Sequence, residues 1–172
     1  MRPRASGEVA SGSAASAAEL AEFLRDRRTL ALTGAGVSTD SGIPDYRGPH
    51  ARPRSPMRYQ TFMRDASARQ RYWARSAMGW PRTREARPNP VHGALARLER
   101  CGRLSAVLTQ NVDGLHQRGG SGRVLELHGS LATVLCLDCG RRSARAELQR
   151  RIADANPAFA PPSGRLAPAD RI

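Results

Sequence analysis

His128 is the residue in this sequence best suited to moving a proton. It follows a short apolar run, Val124 to Leu127, and precedes Gly129. Imidazole is the side chain whose ordinary pKa lies close to neutral pH, and a neighbouring glycine leaves room beside the ring. A histidine that follows a strand also serves as a packing residue. The position alone therefore leaves a general base and a structural role both open.

A segment with strong hydrogen-bonding potential follows a second apolar run, Leu104 to Thr109. Its residues are Gln110, Asn111, Val112 and Asp113. Short amide and carboxylate groups can hydrogen-bond ribose hydroxyls, a carboxamide or an ordered water. Asn-Val-Asp-Gly is also ordinary turn chemistry. Ligands of open parallel α/β sheets bind at the carboxyl ends of the strands, so we expect this segment and His128 at one sheet edge.

The stretch from Gly34 to Gly48 follows a third apolar run, Thr29 to Thr33, which predicts a buried parallel strand. Gly-Ala-Gly at the end of a strand lets the backbone approach a diphosphate closely. The ordinary dinucleotide fingerprint also needs a third glycine and an acid about 20 residues further on. Thr39 stands where that glycine would be, and arginines follow instead of the acid. The two glycines alone therefore do not separate a nucleotide loop from a tight turn.

Cys136 and Cys139 have the spacing of half a tetrahedral zinc site. One Cys-x-x-Cys pair is also compatible with redox chemistry, and Cys101, at the end of a predicted helix, is a poor third ligand. Three cysteines do not make the disulfide framework of a secreted protein. The sequence therefore favours a cytoplasmic protein.

These motifs together resemble the sirtuins, the NAD-dependent protein-lysine deacylases. The resemblance covers about residues 18 to 161 and rests on Gly34 to Gly48, Thr109 to His116, Leu125 to Ser130, and Cys136 to Cys139. It implies that an acyl-lysine carbonyl oxygen attacks the nicotinamide ribose of NAD, nicotinamide leaves, and His128 deprotonates a ribose hydroxyl. Acyl-ADP-ribose and free lysine result.

The resemblance also implies which residues form the cofactor site. They are Gly34, Ala35, Gly36, Ser38, Thr39, Asp40, Gly42, Ile43, Asp45, Tyr46, Arg47, Gln110, Asn111, Val112 and Asp113. Within this set, Ile43 and Asp45 are expected in the nicotinamide pocket. Cys136 and Cys139 correspond to the first half of a structural zinc site, and no second pair follows in this sequence.

Tyr72 and Arg75 lie one helical turn apart in Tyr72-Trp73-Ala74-Arg75, which, with Gly79-Trp80-Pro81, is most similar to the class II sirtuins. The resemblance suggests that the pair binds an acyl group ending in a carboxylate. Aromatic packing with a salt bridge is the alternative. His92 and His116 are interpreted as structural.

The net charge is +13, and all 28 basic residues are arginines, with no lysine. Residues 47 to 103 hold 14 of these arginines against three acidic residues, and could attract a diphosphate or an acidic substrate. No interleaved aromatic platforms accompany them, which argues against a zinc-ribbon nucleic-acid binder. No run approaches 18 apolar residues, so we expect no membrane span.

The predicted fold is α/β, a Rossmann-like doubly wound parallel sheet that is incomplete at its C-terminal end and carries a small zinc-module insertion. Residues 1–17 are expected to form a disordered tail and 18–172 the N-terminal part of a sirtuin-type catalytic domain. Within it, 47–103 is a helical and lid segment and 134–172 the first half of the zinc module. Helices are expected over 17–28, between 59 and 80, from 90 to 101 and over 144–155, with a loop from 81 to 90. Asn89-Pro90 is typical of a helix N-cap followed by proline at the first helical position.

Two alternatives to an active deacylase remain open. One is a truncated, inactive module that binds NAD or ADP-ribose, and the other is a protein mono-ADP-ribosyltransferase. No buried-strand pattern follows Leu135, and the zinc site lacks two ligands. We therefore expect a fragment that binds zinc poorly and has little deacylase activity by itself.

Overall fold

A three-stranded parallel sheet carries the polar segments at one edge. The computed structural model describes residues 14–45 and 56–159. The strands of the sheet, in their spatial order, are β1 (Thr29–Thr33), β2 (Leu104–Thr109) and β3 (Val124–Glu126). Thr33 pairs with Thr109, which pairs with Glu126, so all three strands end level with one another. The parallel α/β arrangement predicted from the sequence is confirmed.

Helices and one hairpin make up most of the remaining described chain. The helices are α1 (Ala14–Leu24), α2 (Tyr59–Arg64), α3 (Ala66–Glu85), α4 (Pro90–Arg100), α5 (Leu115–Arg118) and α6 (Arg145–Ala155), with a 3-10 helix at Ala35–Ser41. The hairpin pairs β4 (Thr133–Leu135) with β5 (Arg142–Ala144). Among the described residues, no helix combines the length and apolar character needed to cross a bilayer.

Helix α4 begins where its sequence predicts. The Asn89 side chain accepts hydrogen bonds from the backbone N–H groups of Val91 (3.0 Å) and His92 (3.4 Å), and Pro90 occupies the first helical position. The Asn89 N–H donates to His92 Nδ1 at 3.2 Å, which completes a capping box. Gly102, with φ of 71°, follows the helix end.

The prediction of a loop from Pro81 to Pro90 is wrong over its first half, because α3 continues through Pro81 to Glu85. Proline has no N–H to donate to the carbonyl four residues earlier, which here belongs to Ala77. The side chain of Gln149 on α6 supplies that donor, with its Nε2 at 3.0 Å from the Ala77 oxygen. A side chain from a distant helix thus replaces the missing backbone hydrogen bond.

Replacing Gln149 with leucine is expected to lower the free energy of unfolding by about 1–2 kcal/mol, because the Ala77 carbonyl loses its donor. Gln149 Oε1 also accepts a bond from Arg145 Nη1 at 2.8 Å, which the variant loses as well. Urea unfolding followed by circular dichroism measures the change. Arg150→Leu, at an exposed position of the same helix, is the control. Equal unfolding midpoints for the two variants would contradict this account of Pro81.

One face of the sheet is covered and the other is not covered by the described residues. Helix α4 packs against β2, and Val107 and Leu115 are fully buried. On the opposite face Leu30 and Leu32 are 63% and 69% exposed, because successive strand residues point to opposite sides. Leu125 on β3 is also exposed. The predicted full burial of β1 is therefore wrong for its two leucines.

Candidate functional site

The carboxyl ends of the three strands bring the predicted polar segments together. Gln110 N–H donates to the Thr33 carbonyl oxygen at 3.0 Å, and Leu127 N–H donates to that of Thr109 at 2.8 Å. These bonds extend the sheet by one residue beyond each strand. As a result, Gly34, Gln110 and His128 all leave the sheet at the same edge.

A cluster of Ser38, Asn111 and Asp113 forms the centre of this edge, and we call it the polar cluster. Ser38 Oγ donates to Asp113 Oδ2 at 2.8 Å. Asn111 Nδ2 lies 3.1 Å from Ser38 Oγ and 3.0 Å from the Gly34 carbonyl oxygen. Ser38 is completely buried and Asn111 nearly so. The cluster therefore ties the loop after β1 to the loop after β2.

Asp113 has a second structural role in the same cluster. Its Oδ1 accepts a hydrogen bond from the Leu115 N–H at 2.9 Å, at the start of α5. Gly114 adopts φ of 69° between them, a conformation that glycine reaches without strain. One carboxylate thus orients both Ser38 and α5.

Two residues outside the predicted site hold the 3-10 helix in place. Asn89 Nδ2 donates to the Val37 carbonyl oxygen at 2.7 Å. Arg82 donates to the Gly42 carbonyl oxygen from Nη2 at 2.6 Å and from Nε at 3.0 Å. The sequence predicts Asn89 as a helix cap but not its contact with Val37. The only signal for that contact is that an asparagine whose side-chain oxygen caps a helix still has N–H donors on its side-chain nitrogen.

His128 is exposed, and its Nδ1 lies 3.0 Å from the Gln110 carbonyl oxygen. A carbonyl oxygen only accepts hydrogen bonds, so in the neutral ring Nδ1 carries the proton and donates it. Nε2 then presents its lone pair and can accept a proton. The Gln110 backbone thereby fixes the tautomer that a general base needs.

The other predicted cofactor residues lie on or beside the 3-10 helix and the loop after β2. Thr39 Oγ1 donates to the Gly36 carbonyl oxygen at 2.9 Å, and Asp40 is exposed. Ile43 and Asp45 are half-buried just beyond Gly42. Ala35 belongs to the 3-10 helix, and the Val112 carbonyl oxygen accepts from Leu131 N–H. Tyr46 and Arg47 lie outside the described residues, as do the first nine residues, 47–55, of the predicted helical and lid segment.

Tyr72 is half-buried among aromatic rings. Its ring packs edge-on against Phe62 and Trp73, with centroids 5.2 Å away in each case. Arg75 is exposed on the same helix. No hydrogen bond between described residues joins Tyr72 to the polar cluster. The idea that the pair selects acidic acyl groups stays a prediction.

A buried pair of histidines lies beneath the polar cluster. The rings of His92 and His116 have centroids 4.8 Å apart, and both are fully buried. His116 Nε2 lies 2.9 Å from Thr33 Oγ1, which donates to Thr109 Oγ1 at 2.9 Å. Thr109 Oγ1 in turn accepts the Asn111 N–H at 3.0 Å. Both histidines are structural, as the sequence indicated, but this chain to Asn111 was not foreseen.

Burial lowers the pKa of His92 below its ordinary value of 6.5, partly offset by the nearby Asp113 carboxylate. Burial also lowers the pKa of His116, and the neighbouring His92 lowers it further. Desolvation disfavours the charged form, and two adjacent imidazolium rings would repel each other. Both rings are therefore neutral at pH 7.

This pair predicts that acidification destabilises the fold. In the unfolded chain each histidine titrates near 6.5, whereas in the folded chain its pKa is lower, so the unfolded state binds more protons below that value. Above about pH 6.5 the two histidines do not reduce the free energy of unfolding. Below that pH, the free energy of unfolding falls by about 1.4 kcal/mol per pH unit for each histidine that is protonated in the unfolded chain but still neutral in the folded chain. Urea unfolding between pH 7.5 and 5.5 measures this slope. His116→Gln should reduce the slope and His128→Gln should not, whereas a wild-type stability that stays constant over this range would contradict the prediction.

Comparison with known proteins decides the family. The Sir2 family model matches residues 34–166, which include the polar cluster, His128 and both cysteines of the pair. The chain belongs to the Sir2 family. The resemblance identified from the sequence motifs is therefore confirmed.

Named Sir2 relatives match most of this chain. It is 53% identical over 140 residues to NAD-dependent protein deacetylase 1 of Corynebacterium efficiens, covering 80% of this chain and 50% of the relative. It is 48% identical over 156 residues to the human NAD-dependent protein lipoamidase sirtuin-4, mitochondrial, covering 87% and 50%. The chain thus spans about half the length of the curated relatives it matches.

Solved Sir2 structures share the fold. A complex described as Sir2-p53 peptide-NAD+ is 37% identical with a TM-score of 0.68, over 78% of this chain and 54% of the other. Another, Sir2 bound to acetylated peptide, is 34% identical with a TM-score of 0.63, over 75% and 52%. The Rossmann-like α/β fold predicted from the sequence is thereby confirmed.

The cysteine pair of this Sir2-family chain lies in the turn between β4 and β5. Cys136 N–H donates to the Arg141 carbonyl oxygen at 2.9 Å, and Gly140 N–H donates to that of Cys136 at 3.0 Å. The backbone N–H groups of Cys139 and Asp138 hydrogen-bond the Cys136 sulfur and lower the pKa of its thiol. This donor set suits a metal-bound thiolate, but no group of three or more metal-binding side chains occurs among the described residues. The described residues therefore contain the Cys136 and Cys139 pair but no complete metal site.

Proposed function

We propose that this protein is an NAD-dependent protein-lysine deacylase. The observation that carries the proposal is the polar cluster of Ser38, Asn111 and Asp113 at the sheet edge from which His128 presents Nε2. Hydrogen-bonding groups for a ribose and an imidazole nitrogen that can accept a proton thereby share one edge. Relatives named NAD-dependent protein deacetylase and a Sir2 complex with NAD+ and a peptide support the same function.

The proposed roles of individual residues agree with their positions. When bound, NAD supplies a ribose carbon from which nicotinamide can leave. Asn111 and Asp113 would hold polar groups of the dinucleotide, and Ile43 with Asp45 would line the pocket for its carboxamide end. His128 Nε2 would accept the proton of a ribose hydroxyl, while Nδ1–H stays bonded to the Gln110 carbonyl oxygen.

Substrate, metal and compartment form a second part of the proposal. The substrate is an acyl-lysine side chain of a protein, as the peptide complexes of Sir2 relatives suggest. Tyr72 and Arg75 are proposed to contact the acyl group. Cys136 and Cys139 are proposed as two of the four ligands of a structural zinc. All three cysteines are free, which agrees with a reducing cytoplasm.

The function is tested by incubating the protein with NAD and an acetyl-lysine peptide, with nicotinamide and peptide products followed by mass spectrometry. Nicotinamide and deacylated peptide formed in equal amounts would support a deacylase. A peptide that gains ADP-ribose would instead identify a mono-ADP-ribosyltransferase. NAD binding without any nicotinamide release would identify a binding module and overturn the enzymatic proposal.

A further inference from the structure

A cavity lies at the opposite end of the sheet from the polar cluster. It has a volume of about 450 Å³ and is formed where the three strands begin. Arg28 directly precedes β1, Leu104 is the first residue of β2, and Arg123 directly precedes β3. Strand β2 has six residues and is about 20 Å long, so this cavity is separate from the predicted NAD site.

The lining of the cavity is strongly basic. Its lining residues include Arg28, Arg100, Arg123 and Glu99. Arg100 Nη1 and Glu99 Oε1 lie next to Gly120 and Gly122, which also line the cavity. Glu99 is already engaged, because Oε2 accepts the Gly122 N–H at 3.0 Å and Oε1 accepts the Arg123 N–H at 2.8 Å. No carboxylate of the described residues forms an ion pair with the three arginines. Among the described residues, three arginines and one carboxylate that is already hydrogen-bonded thus line the cavity.

Glycines form much of the remaining wall. Gly102 and Gly120 have φ of 71° and 98°, and a Cβ atom at Gly120 would lie 3.7 Å from Arg100 Nη1. Their N–H groups donate to the carbonyl oxygens of Glu99 and Gln117, so they are not available to a ligand. The arginine side chains are therefore the groups that remain to bind a ligand in this cavity.

We propose that this cavity binds the phosphate groups of a small phosphorylated molecule. Guanidinium groups match the geometry of phosphate oxygens and form paired hydrogen bonds with them. The volume lies within the range of small-molecule sites. No aromatic side chain of the described residues lines the cavity, so a nucleotide base would find no aromatic stacking surface there. The ligand is accordingly a sugar phosphate or an inorganic polyphosphate rather than a second dinucleotide.

Inorganic pyrophosphate is the probe for this site, added to the ¹⁵N-labelled protein while amide resonances are recorded. The amides of Gly102, Gly120 and Gly122 are expected to shift in a saturable way, and to do so equally when ADP-ribose is present. Shifts confined to Gly34 and Gly36 would place the phosphate in the NAD site and overturn the proposal.

Matched triple variants separate a local site from the overall positive charge. Replacing Arg28, Arg100 and Arg123 with glutamine should weaken pyrophosphate binding at least tenfold. Replacing the exposed Arg141, Arg150 and Arg151 with glutamine changes the net charge equally and should alter affinity less than twofold. Equal weakening in both variants would overturn the proposal. A further outcome would overturn the assignment to a soluble ligand. It is that the protein sediments with phosphatidylglycerol vesicles and loses this binding when Arg28, Arg100 and Arg123 are replaced.

Discussion

Replacing His128 with alanine is expected to slow deacylation by about 10²–10⁴-fold while changing NAD affinity by less than about twofold. His128 is exposed and contacts the Gln110 carbonyl oxygen, so its loss removes a proton acceptor without removing a buried contact. The polar cluster that we propose to hold NAD lies on other residues. Peptide deacylation by mass spectrometry and NAD binding by calorimetry measure the two effects.

His128→Asn is the matched variant for this experiment, because an amide preserves polarity but does not accept a proton near neutral pH. It should be as slow as His128→Ala. Nicotinamide exchange should survive in both variants, since the base acts after nicotinamide leaves. Full deacylase activity in either variant would remove His128 from the catalytic site.

Replacing Asn111 with alanine is expected to weaken NAD binding by about tenfold or more. The change removes the bonds from Nδ2 to the Gly34 carbonyl oxygen and to Ser38 Oγ, and so releases the loop after β1 from the loop after β2. Leaving a buried polar group without a partner costs about 1–3 kcal/mol, and about 1.4 kcal/mol corresponds to a tenfold change in affinity. Calorimetric titration with NAD measures the loss.

Gln117→Ala is the control for Asn111→Ala. Gln117 is exposed on α5, and its Nε2 donates to Glu126 Oε1 at 3.0 Å outside the polar cluster. NAD affinity should stay within about twofold in this control. Equal affinities for wild type, control and Asn111→Ala would show that Asn111 does not organise the cofactor site.

The predictable parts of the site were those encoded locally. An apolar run that ends in polar residues marked the carboxyl ends of β2 and β3, and this was sufficient to place Asn111 and His128 at one edge. The Asn89-Pro90 pair likewise specified the start of α4. Each of these signals lies within a few residues of the feature that it specifies.

The parts that were missed depend on contacts between distant segments. Pro81 is a helix breaker by its own chemistry, and the donor that it lacks is supplied by the side chain of Gln149 on a distant helix. The bond from His116 to Thr33 needs the register of β1 against β2, which no local pattern contains. Leu32 is exposed because no described helix packs against its side of the sheet, and the sequence of β1 does not show which side a helix covers.

The pairing of β1 with β2 has a consequence for synthesis of the protein. Thr33 and Thr109 are hydrogen-bonded although they are 76 positions apart, and among the described residues β1 pairs with no strand made before β2. At about 5–20 residues per second, a ribosome adds Thr109 about 4–15 s after Thr33. During that interval the Gly34 loop has no Asn111 or Asp113 to hold it. The loop after β1 is thus translated well before its native partners, which it acquires only after residue 113 has been made.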